Sequence, residues 1–183
     1  MRGLAACLAA CALAACGSEA PSPLERQQME VDARAAAGQQ ASEPVVLTSD
    51  GLVVEDVPVP FSSERELVER AMSAAVGSAP MRGELAECGA GPLESSRYAN
   101  GLTLYFQQGF FAGWFADAHE NAPGTAMAFR PGVEAEKIEG IPGFERLADS
   151  TLGDEFMYGD RIGGFIEDGR VTALYAGTNC FFR

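Results

Sequence analysis

From Val45 onward the chain alternates apolar and polar positions in short runs, interrupted once by a helical period. Val45-Val46-Leu47-Thr48, Ser49-Asp50-Gly51 and Leu52-Val53-Val54 read as a hairpin around Asp-Gly, closed by Pro58 and Pro60. Ser63 and Glu66 then stand at capping-box spacing. Leu67, Val68, Ala71, Met72 and Ala75 recur as one buried helical face, and Gly77 is placed to end it. Strand patterns follow near Leu85–Cys88 and at Leu102–Gln107, a Gln108-Gly109 turn, and Phe110–Ala116. They return at Phe144–Ala148, Ile162–Glu167, an Asp168-Gly169 turn, and Arg170–Tyr175. Hairpins with one main amphipathic helix predict an α+β fold with a mostly antiparallel sheet.

The second set of strands repeats the first. Shifted by 60 residues, Tyr98 falls on Tyr158, Leu102 on Ile162, Gly109 on Gly169, Phe111 on Val171, Trp114 on Leu174 and Phe115 on Tyr175. Two tandem helix-plus-hairpin units are the simplest explanation. The first unit has a strong helix, whereas the second offers only the short, acidic Val133–Glu139. Shared glycine turns and alternation alone are the competing explanation.

The amino terminus has a different texture. Met-Arg-Gly, an alanine-rich run from Leu4 to Ala15 and a small-residue cut site form an export signal over residues 1–15. The run is shorter than the about 20 apolar residues a bilayer span needs. Residues 16–43 are rich in Ser, Pro, Gln, Ala and Glu and read as a tether. Within it, Pro23 after Ser22 and a stop at Gly38 allow a spacer helix over 23–37. Residues 44–183 are then expected to form a single domain.

Charge narrows the partners. Asp and Glu total 26 against 13 Lys and Arg, a net charge of −13, and a signal cut would also remove Arg2. With no basic stripe to displace counterions, nucleic acid is excluded as an expected partner. No dinucleotide fingerprint, phosphate loop, Gly-x-Ser-x-Gly elbow or His-Glu-x-x-His occurs, so no nucleotide or other cofactor is expected. The single His, His119, lies in Asp117-Ala118-His119-Glu120. These residues are weak candidates for a metal site or general base, with a solvated loop as the alternative. The acidic residues between Glu134 and Asp160 fit no calcium loop and read as a solvated face. Aromatics are dense between Tyr105 and Phe115, and Tyr105, Phe111 and Trp114 are the candidate binding face. A sheet buried on both sides is the competing reading.

Leu13-Ala14-Ala15-Cys16 resembles the lipobox of bacterial lipoproteins. That resemblance implies cleavage before Cys16, acylation of its sulfur and amine, and sorting to an outer membrane, facing the periplasm. Cys88 and Cys180 are then the remaining thiols in an oxidising compartment, which predicts a disulfide between them. It would close a loop of about 90 residues and contribute about 4 kcal/mol in the chain-entropy model.

Glu87-Cys88-Gly89-Ala90-Gly91-Pro92, Gly109-Phe110-Phe111-Ala112-Gly113-Trp114 and Ala176-Gly177-Thr178-Asn179-Cys180 resemble a family of uncharacterised exported proteins of high-GC proteobacteria. Some look-alikes carry dehydrogenase-type names, which nothing in this chain supports. The tandem units also look distantly like small lipoprotein and β-lactamase-inhibitor-like domains that bind other proteins, a likeness of fold only. The expectation is a lipid-anchored envelope protein acting as a non-catalytic binding or structural module, with an envelope protein as partner. The alternative is an envelope hydrolase using carboxylates or the His119 loop.

Overall fold

The computed structural model describes residues 43–126 and 129–181. The export signal, Cys16, the tether as far as residue 42 and the segment read as a spacer helix lie outside the described residues. The class is α+β, as the alternating runs predict, and the described residues hold two sheets.

The smaller sheet contains β1 (Val45–Thr48), β2 (Gly51–Val54), β3 (Val57–Pro60) and β8 (Gly124–Thr125), in the order β3-β2-β1-β8. The β1–β2 hairpin forms as read, with Thr48 opposite Gly51. Pro58 and Pro60 lie within a third strand rather than closing the hairpin. They are accommodated because β3 is an edge, where a missing N–H breaks no ladder. One pair in this sheet, β1 with β8, is parallel.

The helix α1 (Arg65–Val76) ends on Gly77, which takes the left-handed φ of 69° and donates its N–H to Ser73 O at 3.0 Å. Its start differs from the expected capping box: Ser63 Oγ donates to Pro60 O, and Glu64 caps without a side-chain bond. The buried face is also shifted. Val68 and Met72 are fully buried, but Leu67 is 54% exposed and Glu69 takes an inward position. Glu69 is inside because its partners converge there. Arg65 Nε donates to it at 2.9 Å, Ser96 Oγ at 2.5 Å and Arg82 binds both oxygens. Burial alone would raise this carboxyl, but Arg82, Ser96 and Arg65 outweigh it and hold it down at about 2.

The larger sheet has eight strands, all antiparallel to their neighbours. β4 (Met81–Leu85), β5 (Leu93–Arg97), β6 (Leu102–Gln107) and β7 (Phe110–Asp117) form one meander. A short helix α2 (Glu136–Glu139) precedes the other: β9 (Phe144–Arg146), β10 (Glu155–Tyr158), β11 (Ile162–Glu167) and β12 (Arg170–Gly177). The order is β4-β5-β6-β7-β12-β11-β10-β9, so the meanders join through β7 and β12 with Phe115 opposite Tyr175.

The repeat is a repeat of backbone, not only of glycines. β6 and β11 are offset by 60 residues end to end, as are β7 and β12. The register slips between Tyr105 and Phe106 in one hairpin and between Phe165 and Ile166 in the other, leaving Ala112 and Thr172 as the extra residues. Both hairpin turns use two consecutive positive φ values, at Gln108-Gly109 and Asp168-Gly169. The chain entering each helix is also bound alike. Ser62 N–H donates to Phe111 O and Arg65 N–H to Gly109 O; Gly132 N–H donates to Val171 O and Ala135 N–H to Gly169 O. Ser62 (φ 71°) and Gly132 (φ 94°) share the left-handed backbone this entry requires. The helices diverge, twelve residues in the first unit against four in the second.

Candidate functional site

The eight-stranded sheet has two unlike faces. One carries Leu102, Leu104, Phe106, Phe111, Trp114, Ala116, Phe156, Leu174 and Ala176, in one core cluster with side chains of the smaller sheet and both helices. Trp114 is fully buried, and its Nε1–H donates to Thr48 O of β1 at 3.0 Å. The expected binding face of Tyr105, Phe111 and Trp114 therefore does not form. Strict alternation would oppose Phe111 to Trp114, but the extra residue Ala112 resets the period. Both then point into the core, with Phe111 at 1% exposure.

Tyr105 lies on the other face, and it has company. Tyr105, Phe115, Phe165 and Tyr175 are each half-buried. They form two pairs related by the 60-residue offset, Tyr105 with Phe165 and Phe115 with Tyr175. Phe165 and Tyr175 rings are 5.6 Å apart. Gly163 makes room for Tyr175: a Cβ there would collide with the tyrosine ring. Tyr175 O–H donates to Glu155, which also accepts from Ser150 Oγ. Burial, then the Glu155 carboxylate, pushes the Tyr175 phenol up. Sequence reasoning missed this quartet because Phe165 and Tyr175 come from the second hairpin, although the 60-residue shift places them opposite Tyr105 and Phe115.

The carboxyl-terminal segment crosses this face. Gly177 turns the chain at φ 70°, and Thr178 N–H donates to Ala112 O at 2.8 Å. Gly113 lies beneath: a Cβ there would collide with the Thr178 backbone. Phe181 then packs edge-on against Tyr175 at 4.9 Å, Phe165 at 5.5 Å and Phe115 at 6.2 Å. Cys180 comes beside Cys88, which lies in the loop between β4 and β5, with no bond drawn between them. Burial first, then the Cys88 thiol, pushes Cys180 up to about 11.

Asp117, His119 and Glu120 are not gathered into a shared ligand set. Asp117 is paired with Arg97 at 3.0 Å, and His119 Nδ1 accepts the Asn121 N–H at 3.1 Å. Asp117 and His119 do border one cavity of about 590 Å³ together with Arg97 and Met81, while Glu120 lines a different one. Among the described residues no group of three metal-ligating side chains converges.

The site and fold together describe an α+β domain of two related meanders with one packed sheet face and one aromatic face. No family model, curated protein or solved structure matches the chain.

Proposed function

We propose that this chain is a lipid-anchored cell-envelope protein whose α+β domain is a non-catalytic binding module, docking an extended segment of a partner polypeptide on the aromatic face of its eight-stranded sheet. The observation that carries the reading is the quartet Tyr105, Phe115, Phe165 and Tyr175, already crossed by a stretch of the chain itself with an aromatic side chain seated on three of the four rings. Aromatic side chains offer large contact area at low entropic cost, the usual composition of a recognition patch. The lipobox-like Leu13-Ala14-Ala15-Cys16 supports the anchor. Permanent anchoring follows from several acyl chains at about 0.8 kcal/mol per buried methylene.

The test is crosslinked capture by the full lipidated chain in its native envelope, with its thiols kept reduced. Phe165→Ser is expected to lose a specific polypeptide that Leu67→Ser, on the exposed side of α1, retains. Equal capture by both would remove the aromatic face from the account. A Cys16→Ala chain that still carries acyl groups would refute the anchor.

A second reading, an envelope hydrolase, has one observation in its favour: Asp117, His119 and Arg97 border the same cavity. It predicts turnover of an envelope polymer that His119→Ala abolishes; turnover unaffected by that change would reject it.

A further inference from the structure

We propose that Cys88 and Cys180 are a thiol–disulfide latch that fastens the segment 178–181 across the aromatic face as a cover. The two cysteines are 92 positions apart, yet the fold places them side by side, at the far end of a segment that is specifically seated. Each residue of that segment has a place. Thr178 is held by Ala112 O and passes over the bare Cα of Gly113. Asn179 Nδ2 donates to Ala176 O at 3.0 Å and to Gly177 O at 3.2 Å. Phe181 closes over Phe115, Phe165 and Tyr175. Cys180, between these anchors, faces the loop of the first meander, so one covalent bond there would tie the end of the last strand to the opposite half of the sheet.

The pseudo-symmetry marks this as an added device. Gly113 corresponds to Ala173 under the 60-residue offset, so a methyl group stands where the other unit leaves a path for the cover.

In the latching step two S–H bonds break and one S–S bond forms, with loss of two protons and two electrons. The acceptor is a disulfide-bearing oxidant, a protein or small-molecule disulfide, whose own S–S bond is cleaved to two thiols. Reduction by a dithiol reverses it. The consequence rests on the binding reading above: the disulfide form is closed to a partner, and the dithiol form lets a partner's aromatic side chain displace Phe181.

The full chain, purified from membranes, is treated with oxidised glutathione and mapped by mass spectrometry under non-reducing conditions. A peptide linked through Cys88 and Cys180 is expected; two free thiols would overturn the proposal. Hydrogen exchange over residues 177–181 is then compared before and after reduction with a phosphine. Stronger protection is expected in the oxidised chain, falling on reduction and falling equally in Cys180→Ser under both conditions. Equal protection in oxidised and reduced chains would overturn the latch even if the disulfide forms. An unchanged near-ultraviolet signal from buried Trp114 shows that Cys180→Ser is folded. Neither readout needs a partner. Partner capture that fails in every form while the latch behaves as expected therefore counts against the binding reading alone.

Discussion

Glu69 shows how a single buried charge organises the first unit. Its carboxylate is 6% exposed and draws in Arg65 from its own helix, Arg82 from β4 and Ser96 from β5. Arg65 in turn stacks 5.0 Å from the Phe106 ring centroid. Because the folded carboxyl is held at about 2, below its ordinary 4.5, its contribution is fully present above pH 4.5 and is lost as pH falls towards 2. Glu69→Gln should cost about 2 kcal/mol at neutral pH, a figure discounted for the exposed Arg82. The same variant should also flatten the acid limb, as urea midpoints across that range would record; parallel curves for variant and parent would contradict the assignment. Gly113 is the second decisive residue. Gly113→Ala forces either the Thr178 backbone or β7 to move, a strain of about 1–3 kcal/mol. It should loosen residues 178–181 in hydrogen exchange while leaving β6 and β11 protected.

At the scale of elements, the hairpins carry the same turn with different residues. Gln108 takes φ 53° and Asp168 φ 50°, each followed by a glycine. A long side chain pays more for this backbone than Asp or Asn does. Gln108→Asn should therefore raise stability by about 0.5–1 kcal/mol, visible as a higher urea midpoint, whereas Asp168→Asn should be nearly neutral. Legibility in the sequence followed the same physics. The α1 helix, the β1–β2 hairpin and both long hairpins were legible because Gly77, Asp50-Gly51 and the two Gly-containing turns punctuate clean apolar periods. Strand β5 was not: Leu93-Glu94-Ser95-Ser96-Arg97 has one large apolar residue, because its inward face is occupied by Glu94 and Ser96 at the Arg65–Glu69 network. Strand β3 was hidden by prolines that only an edge tolerates. The one-residue bulges at Ala112 and Thr172 change no composition, so nothing in the pattern announced that Phe111 and Trp114 turn together into the core while Tyr105 lies on the other face. Trp114→Ala should accordingly cost about 3–5 kcal/mol, the magnitude of an emptied core site, where a surface aromatic would cost far less.

Across the whole molecule, two related meanders meet at Phe115 and Tyr175, so residues from both units converge on a face that neither would form alone. Among the described residues the helices and the smaller sheet lie with the packed core, and the opposite face carries the four aromatics and the segment that crosses them. This asymmetry of layers is the basis for the proposal that recognition takes place on that face. The most direct measurement places a photo-crosslinking phenylalanine analogue at Phe165, at Phe115 and at Leu67. It is made in the full lipidated chain carrying Cys180→Ser, within the native envelope. The account predicts crosslinks to one partner polypeptide from positions 165 and 115 and none from position 67. Crosslinking from position 67 alone, or none from the aromatic face, would contradict it.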